Sequence, residues 1–121
     1  MARGLLLSRY NSPLLFGVGL SLPCTDFLNK EARDYFADQY KLDVYKGSTL
    51  DTYTWNDMNE PSVFNGPEVT MAKDKMHGEV EHRDLHNMYG MLYTMATHKG
   101  HLVRSDNKLR PFLLTRYLIS L

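Results

Sequence analysis

The sequence predicts an α/β chain in which a helix bridges two parallel strands. Three observations predict it. A β-rich run at Leu50–Trp55 and a continuous apolar run at Phe112–Thr115 flank a helical stripe at Asp84–Lys99. A helix of about sixteen residues between two strands makes a βαβ unit, whose right-handed crossover leaves the strands parallel. Hydrophobic residues supply 43% of the 121 positions, enough to bury a core and to exclude wholesale disorder. No repeat, low-complexity tract or charge run divides the chain.

Residues 1–24 have no helical or alternating period, and their mixture of Leu, Gly, Ser and Pro reads as an irregular or non-native extension. Met1–Leu7 opens like a signal peptide, but Ser8–Pro13 breaks the apolar run after three leucines. Leu14–Leu20 is shorter than the roughly twenty apolar residues that span a bilayer, so no membrane insertion is expected. Cys24 is the single cysteine and cannot form an internal disulfide; an ordinary half-buried residue is expected there.

From Asn29 the pattern becomes helical. Asn29 suits an N-cap, Glu31 suits the positive helix end, and Ala32, Tyr35, Phe36, Gln39 and Tyr40 recur at helical spacing. Gly47-Ser48-Thr49 then breaks the chain before the strand, which places Tyr53 and Trp55 on one face. Residues 59–82 hold Pro61, Gly66, Pro67 and Gly78 and predict a long loop, of a length that usually serves function. In the next helix Leu85, Met88, Tyr89, Leu92, Met95 and Ala96 form the core stripe, with Gly100 at the C-cap position. Phe112–Thr115 predicts a strand buried on both faces.

Lys plus Arg and Asp plus Glu balance at 14 each, so no net field draws the chain to nucleic acid or to an anionic surface. A small polar substrate fits better. The chemistry concentrates at Trp55-Asn56-Asp57-Met58-Asn59-Glu60-Pro61, which sets an aromatic ring, two carboxylates and two amides at the C-terminal end of a predicted parallel strand. Ligands bind at that edge in α/β architectures. Sugar cleavage needs a carboxylate to attack an oxocarbenium-like centre, polar partners to hold it, and an aromatic face for the ring. The plain alternative is that Asp57 and Glu60 merely cap a turn.

The string Trp55–Phe64 resembles the nucleophile signature of glycoside hydrolase family 31, and Asn65–Met71 extends the likeness to the branch that trims glucosylated N-glycans. The resemblance continues through Glu81–Gly90, Met95–Thr97 and Arg110–Arg116, and more faintly through Asp26–Asn29 and Tyr45–Thr49. It covers about residues 25–116. It implies helix 3, strand 4, helix 4 and strand 5 of a (β/α)8 barrel, necessarily partial because a whole barrel takes about 250 residues. It implies a retaining α-glucosidase with Asp57 as nucleophile, Glu60 as its support, and Trp55, Met58 and Arg116 binding the sugar. It further implies an α-glucoside or glucosylated N-glycan substrate, no metal or organic cofactor, the endoplasmic reticulum lumen, and a non-catalytic β-subunit as partner.

Departures from the family pattern shape the remaining expectations. Residues 117–121 diverge from it, and the downstream Gly-Asp-Asn segment that carries the family's acid/base aspartate does not occur in the 121 residues. Gly78-Glu79-Val80 replaces a longer, tryptophan-containing loop. The alternative to an enzyme is therefore a truncated, non-catalytic fragment or sugar-binding remnant. His82 and His86 lie four apart without a third metal ligand and are expected to pack at a helix entry, whereas His98 and His101 are expected to be solvated. Met88, Met91 and Met95 are assigned to the core, and Lys99, Arg104, Lys108 and Arg110 to a loose basic patch without stacking aromatics.

Overall fold

The structure, a computed structural model, describes residues 25–116; the expectations for residues 1–24, for Cys24 and for the divergent tail at 117–121 lie outside the described residues. Helix α1 spans Lys30–Asp38, and helix α2 spans His82–Arg104. Strand β1 (Thr54–Asn56) pairs in parallel with β4 (Leu113–Thr115), in the register Thr54 to Leu113, Trp55 to Leu114 and Asn56 to Thr115. The crossover between them carries a 3₁₀ turn at Pro67–Val69 and a hairpin of β2 (Met76–His77) and β3 (Val80–Glu81). The α/β class and the parallel strands are as expected. The hairpin is new: Gly78 takes φ 63°, a left-handed conformation that tightens the turn between its two strands.

Asn29 caps α1 as expected, with its Oδ1 accepting from the Glu31 N–H at 2.8 Å. The helix ends two residues before Tyr40, where turn hydrogen bonds from Gln39 to Phe36 and from Tyr40 to Ala37 close it. Its buried side is Ala32 and Ala37, while Tyr35 stays exposed. The strand is also shorter than Leu50–Trp55, because a parallel ladder exists only where β4 lies alongside, over Thr54–Asn56.

Helix α2 starts two residues earlier than expected and runs past Gly100 to Arg104. Gly100 is a packing residue, not a cap: a Cβ there would sit 2.6 Å from Tyr40 Cδ2 and 3.0 Å from the Ala37 carbonyl. The helix closes instead through Ser105, Asp106 and Asn107, the last two in left-handed conformation, with the Asn107 N–H donating to Leu102 O at 2.8 Å. Gly100→Ala is expected to lose about 1–3 kcal/mol to overpacking despite alanine's helix preference of about 1 kcal/mol. A denaturant midpoint that rises in this variant would show that the α1–α2 contact yields freely.

The buried stripe is Leu85, Tyr89, Leu92 and Ala96, which meets Phe27 and Met71. Phe27 stacks on Tyr93 at 4.8 Å and meets Phe36 and Tyr89 edge-on at 5.1 and 5.4 Å, geometry that aromatic quadrupoles favour. Met88 and Met95 do not join this core; they are 43% and 55% exposed. They sit beside the stripe that turns toward α1, and Met95 lines an open hollow with Met91, Thr94, His98 and Leu113.

Three further expectations need correction. His101 is not solvated: it is buried, its Nε2 lies 2.7 Å from Thr54 Oγ1, and burial lowers its pKa. The continuation of α2 past Gly100 is what carries it inward. Arg104 likewise leaves the surface patch and donates from Nη2 to Ser48 Oγ and Thr49 O, both at 2.7 Å. Phe112–Thr115 is covered on one face only, by α2, so Phe112 and Leu114 are exposed together with Tyr53 and Trp55 on the opposite face. Among the described residues, no helix is long and apolar enough to cross a membrane.

Candidate active site

β1 and β4 deliver their ends to one rim. Within β1 the alternation of side chains sends Asn56 toward α2 and leaves Trp55 and Asp57 on the other face. Asn56 is fully buried and donates from Nδ2 to Thr97 Oγ1 at 3.0 Å, and its carbonyl accepts the Arg116 N–H at 3.2 Å. That last bond carries the parallel pairing one step beyond the strands and sets Arg116 beside Asp57. Met58 then adopts φ 56°, a left-handed turn that takes the chain off the sheet, and its carbonyl accepts the Ser62 N–H at 2.9 Å. Asn59 comes back inward, buried, and donates from Nδ2 to Thr115 Oγ1 at 3.0 Å.

The Arg116 guanidinium gathers Asp57, Met58 and Glu60. Its Nε lies 3.1 Å from Glu60 Oε1, and its Nη1 lies 3.7 Å from Asp57 Oδ1 and 3.6 Å from Met58 Sδ. Glu60 also accepts from Ser62 Oγ at 2.7 Å, so both its oxygens are engaged. Asp57 differs. Its Oδ1 accepts no hydrogen bond among the described residues, since 3.7 Å is beyond hydrogen-bond reach. Oδ1 is itself buried, so the carboxylate's remaining exposure lies on its other atoms, while Glu60 fixes the position of the cation that Asp57 faces. Such an arrangement can present a nucleophilic oxygen to an electrophilic carbon.

Trp55 stands on the same face as Asp57, across from Leu114, and is 55% exposed, which leaves its indole face open to a ring. Trp55, Asp57, Met58, Glu60 and Arg116 therefore lie together at one end of the sheet. The residues that sequence reasoning passed over are the buried supports Asn56, Asn59, Thr97 and Thr115. For two of them a signal was present: Asn56 alternates with Trp55 and Asp57 along the strand, and Thr97 lies one helical turn from Tyr93. Among the described residues no group of three His, Cys, Asp or Glu is placed to hold a metal ion.

Residues 2–120 match the glycosyl hydrolases family 31 TIM-barrel domain. A probable glucan 1,3-α-glucosidase of Oryza sativa subsp. japonica is 59% identical over 92 residues, 75% of this chain and 10% of that protein. Neutral α-glucosidase AB of Dictyostelium discoideum is 58% identical over 93 residues, with coverage of 75% and 10%. A crystal structure of the glucosidase II α subunit in its Glc1Man2-bound form superposes with a TM-score of 0.71 at 50% identity, covering 76% of this chain and 10% of that one. A structure of the ER glucosidase II heterodimeric complex, of catalytic subunit and the binding domain of the regulatory subunit, also superposes at 0.71, with 51% identity. The chain thus spans about a tenth of the length of the curated relatives it matches.

Proposed function

The chain belongs to glycosyl hydrolases family 31, and on that premise we propose that it is the part of a retaining α-glucosidase barrel that carries the nucleophile, Asp57. The observation that supports this reading most is the juxtaposition of Asp57 and Arg116 at the ends of two parallel strands. α1, β1, α2 and β4 correspond in this reading to helix 3, strand 4, helix 4 and strand 5 of the (β/α)8 barrel. The exposed face of Tyr53, Trp55, Phe112 and Leu114 is then the side that points to the barrel axis.

In the proposed mechanism Asp57 attacks the anomeric carbon of a terminal α-linked glucose as the glycosidic bond breaks, and a covalent glucosyl-enzyme forms. Arg116 holds the sugar beside the nucleophile, Glu60, itself held by the Ser62 hydroxyl, holds Arg116, and Trp55 and Met58 line the ring. Water then releases glucose with retention at the anomeric carbon. The proton for the leaving group comes from a second carboxyl group about 5 Å away. Glu60 cannot fill that role while both its oxygens accept from Arg116 and Ser62.

The parent enzyme's substrate is, in this reading, a glucosylated N-glycan in the endoplasmic reticulum lumen, with a regulatory β-subunit as partner. Support comes from similarity to proteins solved with Glc1Man2 and as an ER heterodimer. A mechanism-based fluoroglucosyl label tests the site in the chain itself. Peptide mapping by mass spectrometry is expected to put any adduct on the peptide carrying Asp57, and Asp57→Asn to abolish it. An adduct on Glu60, or one that survives Asp57→Asn, overturns the assignment.

A further inference from the structure

Asp57 and Arg116 each stand one residue past a side chain that faces α2. Asn56, before Asp57, donates to Thr97 Oγ1 at 3.0 Å, and Thr115, before Arg116, has its Oγ1 3.5 Å from that of Thr94. Asn59 adds a buried link between the two strand exits themselves. Its Nδ2 lies 3.0 Å from Thr115 Oγ1 and 3.4 Å from the Gly90 carbonyl oxygen, and the residue is 1% exposed. A carbonyl oxygen only accepts, so it is the amide nitrogen that faces Gly90, and its two hydrogens serve one partner on α2 and one on β4. Thr94 donates to the same Gly90 oxygen at 2.9 Å, which ties the joint further into the helix.

Covalent neighbours carry this link to the site. Glu60 follows Asn59 directly and Arg116 follows Thr115 directly, so the carboxamide sits one peptide away from one member of the Glu60–Arg116 pair and its partner one peptide away from the other. The pair by itself is a weak tether: the Arg116 side chain is 56% exposed, and water screens an ion pair at such a site. The buried link is shielded from water. We propose that Asn59 is a positioning residue, a clamp that acts through Thr115 to hold the Arg116 guanidinium on Glu60 and short of a hydrogen bond to Asp57.

The balance between the two carboxylates is close. Arg116 Nε lies 3.1 Å from Glu60 Oε1 and Nη1 lies 3.7 Å from Asp57 Oδ1, so a shift of about 0.5 Å at the β4 exit turns the second contact into a hydrogen bond. Arg116 would then hold both carboxylates, and the Asp57 charge would be spent on the cation. That outcome matters for catalysis only with Asp57 as the nucleophile, as proposed above, whereas the clamp stands on geometry alone. Valine in place of Thr115 keeps the branched shape but removes the acceptor that Asn59 uses, while serine keeps the acceptor.

Spectra that detect coupling across N–H···O bonds, taken on the ¹⁵N,¹³C-labelled 121-residue chain, are expected to join Arg116 Nε to the Glu60 carboxyl carbon and no Arg116 nitrogen to Asp57. Thr115→Val is expected to lose that correlation or to gain one to the Asp57 carboxyl carbon, with the Leu92 and Ala96 amides as protected as in the wild type. Thr115→Ser is expected to restore the wild-type pattern. Labelling of Asp57 by the fluoroglucosyl probe is expected to slow about tenfold or more in Thr115→Val, as misplaced reacting groups do. Unchanged Arg116 correlations in Thr115→Val, a Thr115→Ser chain that behaves like Thr115→Val, or Leu92 losing protection along with them would overturn the clamp. If Thr115→Val does not fold, the wild type decides: both Asn59 Nδ2 hydrogens are expected to exchange about tenfold or more slowly than those of the exposed Asn65, and equal rates would overturn it. A wild-type chain that takes its adduct elsewhere fails the nucleophile reading and leaves the Arg116 and Asn59 signals to decide the clamp.

Discussion

Maltose incubated with the purified 121-residue chain is expected to remain intact, whatever the state of Asp57. An alkoxide leaving group departs poorly without a proton, and loss of a positioned general acid alone costs about 10²–10⁴-fold. Glu60 is engaged by Arg116 and Ser62, and the sheet face that carries Trp55 and Leu114 lies open to water. An open site also forfeits the positioning and water exclusion that a closed barrel supplies. Glucose release followed over hours by a coupled assay should match the buffer blank. Steady turnover that disappears in Asp57→Asn would show that the chain holds its own acid, and would refute the reading of it as an inactive piece.

Leu92→Ala carries the largest expected effect on stability, a loss of about 2–5 kcal/mol from removed burial and the cavity left behind. Leu92 is 8% exposed and packs among Phe27, Leu85, Tyr89 and Ala96, where α2 meets the aromatic cluster. Small domains have only about 5–15 kcal/mol in all, so the variant should be mostly unfolded well below the wild-type denaturant midpoint. Met95→Ala is the internal contrast. At 55% exposure it should shift stability by about 0.5 kcal/mol or less. Equal losses in the two variants, or a loss below about 1 kcal/mol at Leu92, would move the core elsewhere.

Much of the candidate site was legible because it is local. Asp57, Met58 and Glu60 lie within four consecutive positions, and a strand followed by a left-handed turn brings their side chains to one rim with little help from the rest of the chain. Arg116 was singled out by the family resemblance alone; the βαβ crossover, which makes β1 and β4 parallel, supplied only the expectation that it would share an edge with Asp57. The buried supports were less visible. Asn59 and Thr115 are far apart in sequence, and nothing local announces that a carboxamide two residues past Asp57 will turn inward to a threonine on another strand.

By itself, then, the sequence determined the class, the order of the long elements, the N-cap at Asn29 and the stripe of Leu85, Tyr89, Leu92 and Ala96. Each of these rests on periodicity or short-range hydrogen bonding, which neighbouring residues decide. Tertiary structure alone decided that α2 continues through Gly100, because only the approach of Tyr40 makes a missing side chain an advantage there. It decided that His101 and Arg104 go inward, to Thr54 and to Ser48, and that Met88 and Met95 stay out. The physical reason is common to all: a helix has several sides of comparable polarity, and which one is buried depends on the partner that arrives, not on the spacing of its own residues.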